Sequence, residues 1–389
     1  MPRRSRPGDG SALLPPTGSS GNPGVLQELS VSSECPENPE RHPGSIPPAL
    51  HPSSTIAILI VNYRRAADTL ECLASLAQVN SPPFRVFLAD NGSGPEDVAT
   101  LTEYANQHPE WLRFVAYPDN TGFTGAHNRL FAEIIPMERY RHVLLLNNDT
   151  VVEPDFLTRM LARIDPARRI EMVAARVMQY ADRERVDNLG ITFYKCGLAS
   201  NRKSPDDPLL GPSGNCALYT VELLRQVRVA TGEYFDDRFF CYAEDTDLCW
   251  RAVWLGYRAA YAEDARVYHK GSVASGGPNS DFVLYHGIRN SLFVLVKNLP
   301  TRYLLRNLFW MLVLHAAILL RYAVKGKLRI VYRLYRDFLR GLSAMRRKRG
   351  SIEKQRRIPS NAIKPLISNM FYERDYVLNA LRDLFMKIP

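Results

Sequence analysis

Residues 142–154 read HVLLLNNDTVVEP. Val143 to Leu146 form a continuous apolar run of the kind that makes a parallel strand buried on both faces, and the run stops on Asn147, Asn148 and Asp149. In open α/β sheets the carboxyl ends of the strands are where ligands bind. Taken alone, the same residues also describe a strand leading into an Asn/Asp turn, with Pro154 opening the next helix. The choice depends on whether other strands end the same way.

Two of them do. TIAILIVNY (55–63) is a β-branched apolar run ending on Asn62-Tyr63, and FRVFLAD (84–90) runs into Asn91-Gly92-Ser93-Gly94. Between these runs lie helical patterns. Leu70, Leu73, Ala74, Leu76 and Ala77 recur at three- and four-residue spacing over 67–79, and helices are predicted over 95–107 and 125–135, with a strand over 112–117. Strands alternating with helices of ten or more residues imply right-handed crossovers, so the spacing predicts an α/β, Rossmann-like, mainly parallel sheet flanked by helices. Beyond residue 165 the alternation loosens. MVAARVMQ (172–179) and ITFY (191–194) read as strands, 202–214 as loop, 246–255 as a helix and 258–261 as a strand.

The chain of 389 residues is 46% apolar, enough for a substantial core. Its net charge of +10 is unevenly placed: residues 301–389 hold 20 Lys/Arg against 5 Asp/Glu, while residues 1–300 hold 30 against 35. Basicity is therefore a property of the C-terminal part. The six cysteines form no C-x-x-C pair and no zinc-like spacing, which predicts reduced thiols in a cytosolic compartment. No apolar stretch of signal-peptide length follows the first basic residues, so export is not expected. Half of residues 1–54 are Pro, Gly or Ser, a composition that predicts disorder. Three segments follow: 1–54, an α/β domain over 55–298, and a helical basic region over 299–389.

Within that last region, LFWMLVLHAAILL (308–320) is interrupted by His315 and flanked by Arg306 and Arg321. As a helix of about 20 Å it falls short of a hydrocarbon core of about 30 Å. Residues 321–357 hold 14 Lys/Arg and 2 acids with Leu328, Ile330, Val331, Leu334, Tyr335, Phe338 and Leu339 interleaved. This predicts a basic amphipathic helix on an anionic membrane face, a solvated basic helix or nucleic-acid arm being the competing reading.

In a parallel sheet the three polar strand ends share one edge, so Asp90, Asp149 and several amides line one crevice. The chemistry that fits is recognition of a nucleoside diphosphate. Asp90 can accept the imide N–H of a pyrimidine, and a divalent ion held by Asp149 would neutralise the phosphates. A dinucleotide site is disfavoured because no G-x-G-x-x-G follows the first strand. NTGFTGAHN (120–128) places two glycines at a helix start, where backbone amides can face an anion or sugar hydroxyls. The densest stretch is YFDDRFFCYAEDTDLCWRAVWLGYRAAY (234–261), in which Glu244, Asp245 and Asp247 follow an aromatic run. Apolar surroundings raise a carboxylate toward the range of a general base, although acids at a helix start also serve as simple N-caps. His269 can complete a metal shell.

The ordered set IVNYRRAADTLECLASL (60–76), LADNGSGP (88–95), NTGFTGAHN, LLLNNDTVVEPDFL (144–157), SGNCAL (213–218), FFCYAEDTDLCWRAVWLGY (239–257), VYHKGSVASGG (267–277) and YHGIRN (285–290) resembles the family 2 glycosyltransferases of GT-A fold, in particular the bacterial rhamnosyltransferase-like group. The resemblance implies roles by position. Asp245 would be the catalytic base of an inverting transfer, with Glu244 positioned beside it. Asn62, Asp90, Asn91, Gly122, Asn128, Asn148 and Arg289 would bind the donor; Gly214, Asn215 and Asp247 the acceptor. Asn147, Asp149 and His269 would hold Mg2+ or Mn2+. Asn147 stands where the family's D-x-D motif often has its first Asp, so its amide brings no charge to the ion.

The function so implied is transfer of a sugar, rhamnose among the options, from a nucleoside-diphosphate donor to a hydroxyl of a glycan or lipid-linked glycan, as in polysaccharide biosynthesis. The enzyme would sit in the cytoplasm, peripheral on the inner face of the membrane, with an anionic membrane surface and no nucleic acid as partner. The rivals are a non-catalytic membrane-bound nucleotide-sugar or glycan-binding protein and a sugar-phosphate nucleotidyltransferase; the latter would carry a Gly-rich phosphate loop after the first strand, where Asn62-Tyr63-Arg64 has no glycine.

Overall fold

The computed structural model describes residues 55–80, 82–271 and 280–373. The expectation of disorder over 1–54 lies outside these residues, as does most of GSVASGG. The elements run β1 (Ile56–Asn62), α1 (Ala66–Leu76), β2 (Phe84–Asn91), α2 (Pro95–Gln107), β3 (Leu112–Tyr117), α3 (Gly122–Ile134), β4 (His142–Leu146), β5 (Thr150–Val152), α4 (Phe156–Leu161), β6 (Ile170–Gln179), β7 (Val186–Asn188), β8 (Ile191–Tyr194), β9 (Ala199–Asn201), β10 (Cys216–Thr220), α5 (Val221–Thr231), α6 (Glu244–Trp254), β11 (Arg258–His269), α7 (Asp281–Asn298), α8 (Thr301–Val324), α9 (Leu328–Gln355) and β12 (Ile367–Ser368).

Nine strands form one sheet in the order β3-β2-β1-β4-β10-β6-β11-β5, with β7 on β6; β12, β8 and β9 form a second, three-stranded sheet. The first four strands are parallel, as their alternation with helices predicts. Both faces of this half are covered. Ala57, Leu59, Val143 and Leu145 enter one hydrophobic cluster, and Ile56, Ile58, Ile60, Leu144 and Leu146 enter the other. That is why these strands read as continuous apolar runs, and each fully buried Leu or Ile contributes roughly 1.5–3 kcal/mol.

The expectation of a mainly parallel sheet is corrected in the second half: the sheet is mixed. β10 pairs antiparallel with both β4 and β6, and β5 pairs antiparallel with β11, while β6 and β11 are parallel. A parallel neighbour needs a long crossover, usually a helix. The chain instead reaches β10 from β9 through residues 202–215, which form no helix.

Two corrections concern the C-terminal helices. The apolar run at 308–320 is only the middle of α8, whose 24 residues span about 36 Å at 1.5 Å per residue. His315, which seemed to break that run, turns toward α9 and bonds the Tyr335 hydroxyl at 2.8 Å. α9 is rich in cations, yet the apolar residues assigned to a membrane face divide. Val331 and Leu334 are buried inside the protein, as are Ala344 and Met345, while Leu328 and Leu339 are exposed. Gly341 lies against the Phe293 ring of α7, where a Cβ would come within 2.6 Å.

Candidate active site

A cavity of about 730 Å³ opens at the carboxyl edge of the sheet, within the size range of small-molecule sites. Tyr63, Asn91, Asn147, Asn148 and Asp149 border it from the strand ends, Gly122 and His127 from α3, Gly214 and Asn215 from the loop before β10, and Glu244 and Asp245 from α6. HVLLLNND therefore runs from the core of the sheet to the edge of this cavity. The strand ends on polar residues because it ends in a cavity wall.

On one side the strand ends interlock. The Asn62 amide nitrogen donates to Asp90 Oδ1 at 2.7 Å and to Asp97 Oδ2 at 3.1 Å, and its oxygen accepts from Thr69 Oγ1 at 2.8 Å. Asp90 Oδ2 accepts from the Ser93 amide at 2.9 Å, which closes the turn after β2. Asn148 donates to Thr69 Oγ1 at 2.9 Å and to Asn62 Oδ1 at 3.3 Å. Asn62 and Asp90 are completely buried and are not among the cavity's lining residues. Asn91 is different: it borders the cavity while accepting from the Thr121 amide at 3.1 Å and donating to the Gly122 carbonyl at 3.1 Å, so it ties β2 to the start of α3.

Asp149 and His269 meet at the same edge. Asp149 Oδ1 lies 3.3 Å from His269 Nε2, Asn147 Nδ2 lies 3.5 Å from the same nitrogen, and Asp187 Oδ2 lies 2.8 Å from Nδ1. Burial alone would lower the imidazole, but the bonds to Asp149 and Asp187 outweigh it and push it up to about 9. Among the described residues no group of three or more His, Cys, Asp or Glu side chains gathers as a metal cluster. The donor set nevertheless fits a divalent ion that takes the rest of its shell from phosphate and water. Asp149 and Nε2 converge, Asn147 stands beside them, and Asp187 orients the ring as carboxylates behind ligating histidines do. Sequence reasoning missed Asp187; it sits on the three-residue β7, with no spacing to mark it.

On the opposite wall α6 begins at Glu244, earlier than the predicted 246, and its N-cap is Ala243 with φ +65°, not an acid. The acids therefore occupy the first turn instead of capping it. Asp245 Oδ2 accepts from the Gly214 amide at 3.0 Å and Oδ1 from the Thr246 amide at 2.6 Å. Burial raises Asp245 above the usual carboxylate range, partly offset by these two bonds. Burial and the neighbouring Asp245 charge raise Glu244 well above that range, and its Oε2 meets no hydrogen-bond partner among the described residues. His127, also missed by the sequence reading, is 1% exposed; burial lowers it to about 4, with Nδ1 bonded to the Phe123 carbonyl at 2.8 Å.

Three expected ligand-binding residues point elsewhere. Asp247 is fully buried: Oδ2 accepts from Arg251 Nε at 2.8 Å and Lys297 Nζ at 2.9 Å, and Oδ1 from Asn298 at 2.8 Å, so no oxygen is left for an acceptor. One turn along α6 from Glu244, it faces the core. Asn128 donates to the Phe235 carbonyl at 3.0 Å and to Asp237 at 2.6 Å, bracing the segment before α6. Arg289 donates to the carbonyls of Arg238 and Phe239 at 3.0 and 3.2 Å and to Asn290 Oδ1, which spends its guanidinium on protein backbone.

The chain is similar to the crystal structure of GalNAc-T7 with UDP, GalNAc and Mn2+ (TM-score 0.53, 13% identity, 64% of this chain and 49% of that one), and so spans about half the length of that relative. Other solved structures with lower scores include S. aureus TarS in complex with UDP-GlcNAc (TM-score 0.44, 15% identity, 63% and 67% of the two chains). The mannosyltransferase PcManGT from Pyrobaculum calidifontis in complex with GDP-Man and Mn2+ is another (TM-score 0.43, 15% identity, 88% and 84%). No curated protein matches by sequence. The likeness to GalNAc-T7 bears on the fold, which is GT-A-like with a mixed sheet flanked by helices. The model of glycosyltransferase like family 2 matches residues 52–284, more than half of the chain, and the chain belongs to that family.

Proposed function

We propose that the protein is an inverting, metal-assisted glycosyltransferase that moves a sugar from a nucleoside-diphosphate donor to a hydroxyl of a glycan or lipid-linked glycan. The observation that carries this reading is a single cavity with Asp149 and His269 on one wall and Asp245 on another. In the reaction the acceptor oxygen forms a bond to the anomeric carbon, the bond from that carbon to the diphosphate breaks on the opposite side, and the acceptor proton passes to Asp245. The Gly214 and Thr246 amides hold the Asp245 carboxylate in place while burial raises its basicity. Glu244, raised further by burial and by the neighbouring Asp245 charge, stands beside it as a positioning residue. Asn147, Asp149 and His269 would hold Mg2+ or Mn2+, which when bound offsets the charge of the departing diphosphate. Asn91 and the amides at the start of α3 border the donor side; Gly214 and Asn215 border the acceptor side. Asn62, Asp90 and Asn148 act on the donor through the strand-end network, and rhamnose is the donor sugar that the sequence resemblance suggests.

The test is calorimetric titration of UDP, dTDP and GDP in the presence of Mn2+ and then EDTA. Metal-dependent binding of one nucleotide is the expected result, and transfer from its sugar conjugates then identifies the sugar. A protein that binds none of the three, with or without metal, would overturn the reading.

The proposed site of action is the cytoplasmic face of a membrane, and the C-terminal helices support the membrane contact. Leu305, Phe309, Leu312 and Leu320 of α8 are each at least 60% exposed, and α8 is long and apolar enough by length and composition to cross a bilayer. Arg302 and Arg306 near one end and Arg321 near the other suit anionic headgroups. Sedimentation with vesicles containing anionic lipid should pull down the full chain. Leu312→Glu with Leu320→Glu should leave most of it in the supernatant; equal sedimentation would remove α8 from the membrane contact.

A further inference from the structure

The segment just before the α6 acids has an unusual backbone. Phe240, Tyr242 and Ala243 have φ of +66°, +69° and +65°, a region that non-glycine residues avoid, and all three line the cavity together with Cys241. Such a conformation persists only where its surroundings impose it. From one side α3 imposes it. The Thr124 amide donates to the Phe240 carbonyl at 3.0 Å, and Gly122 lies so close that a Cβ would come within 2.3 Å of that oxygen.

From the other side α7 imposes it: Arg289 and His286 reach the Phe239 carbonyl, and one side chain, Asn290, reaches three carbonyls at once. Asn290 of α7 is completely buried, and its amide nitrogen lies 3.0, 2.8 and 2.8 Å from the carbonyl oxygens of Phe239, Cys241 and Tyr242, which share its two N–H groups. Its orientation is fixed chemically. Arg289 Nε and Nη2 approach the other end of the amide at 3.0 and 2.8 Å, and a guanidinium only donates, so that end is the oxygen. Reversing the amide would set oxygen against three carbonyls and N–H against a cation.

We propose that Asn290 is a positioning residue: by gathering three carbonyls of residues 239–242 it holds the segment in the one conformation that aims Glu244 and Asp245 into the cavity. The kinetic part of this proposal rests on the transferase reading; the conformational part does not. Asn290 touches no cavity space itself, being absent from the lining, and α7 continues through Pro300 into α8.

The test uses Asn290→Asp, which keeps the shape and replaces the donor with an acceptor, and reads two quantities. One is the alkylation rate of Cys241, which is partly exposed while Cys72, Cys196, Cys216 and Cys249 are buried. In folded N290D it should rise by roughly tenfold or more as the segment opens locally. The other is the split of kinetic constants. With the donor nucleotide's binding unchanged, kcat should fall on the order of 100-fold, because the acids lose their aim. Adding Ala243→Gly should recover roughly three- to fivefold of that loss, since glycine adopts φ > 0 without strain. If N290D does not fold, Asn290→Ser, which retains one donor, carries the same labelling test. An unchanged Cys241 rate in a folded variant would overturn the proposal. Absence of transfer by the parent protein would instead overturn the transferase reading, with the labelling result still deciding the role of Asn290.

Discussion

Glu244 and Asp247 stand one turn apart at the start of α6, and the regions they face treat a carboxylate in opposite ways. On the cavity side burial dominates. Among the described residues neither Glu244 nor Asp245 has a salt-bridge partner, and both are raised above the usual carboxylate range. On the core side burial would also raise Asp247, but Arg251 and Lys297 outweigh it and hold it below that range. Asp236 lies in the same cluster and is likewise lowered, its desolvation overcome by Lys297 and Lys348. Carboxyl groups one turn apart thus serve two ends: uncompensated acids can change protonation state, and compensated ones tie α6, α7 and α9 together. The lesson is that acids clustered in a sequence are separated by what lies across from them, which one chain segment does not disclose.

The comparison breaks most severely on the cavity side. Asp245→Asn keeps one of the two accepting contacts, replaces the other oxygen with a donor, and removes the basic site. It is expected to lower kcat by roughly 10²- to 10⁴-fold while nucleotide affinity stays within a factor of about two. Steady-state kinetics beside calorimetry checks this, and loss of nucleotide binding in step with kcat would place Asp245 in donor recognition instead. Because the raised carboxyl must be ionised to accept a proton, the acid limb of the parent enzyme's kcat profile should lie above the ordinary Asp range near 4.

Legibility in the sequence followed periodicity. β1 and β4 were readable because burial on both faces leaves uninterrupted apolar runs, β2 because only Arg85 interrupts its run, and their polar ends marked the site edge. The start of α6 was readable as an acid cluster, though which acid faced the cavity was not, since that is set by Lys297 from a helix fifty residues on. Asp187 and Asn290 were invisible as functional residues. Each acts by meeting one partner across the fold, His269 for Asp187 and the 239–242 carbonyls for Asn290, and neither contact leaves a spacing. The mixed half of the sheet was misread because the strand–helix alternation of the first half was extended to it, while β10 was not read as a strand at all; direction is decided by the connection, not by the strand. In the C-terminal region, composition located the charge correctly but misjudged the apolar stripe of α9, much of which packs on α7, whereas α8 carries the exposed apolar surface.

On the core side the comparison sharpens with Lys297→Met. Lys297 Nζ meets Asp236, Asp247 and Glu233 at 2.8 to 2.9 Å, and the side chain is fully buried. Methionine fills similar volume, but Asp236 and Asp247 then remain buried with only Arg251 and Lys348 to balance them. Removing one partner of such a cluster costs about 3–5 kcal/mol, measurable by urea unfolding at pH 7. The pH dependence has a definite sign. Carboxyls lowered in the folded state stabilise it fully above their unfolded value near 3.9, and this stabilisation is lost as pH falls through their folded values. Lys297→Met lets both carboxyls rise, so the stability lost to the substitution should be large at pH 7 and should shrink as the acids protonate. A loss that stays constant down to pH 4 would mean that Lys297 acts through packing alone, and the contrast between the two faces of α6 would then rest on burial without charge.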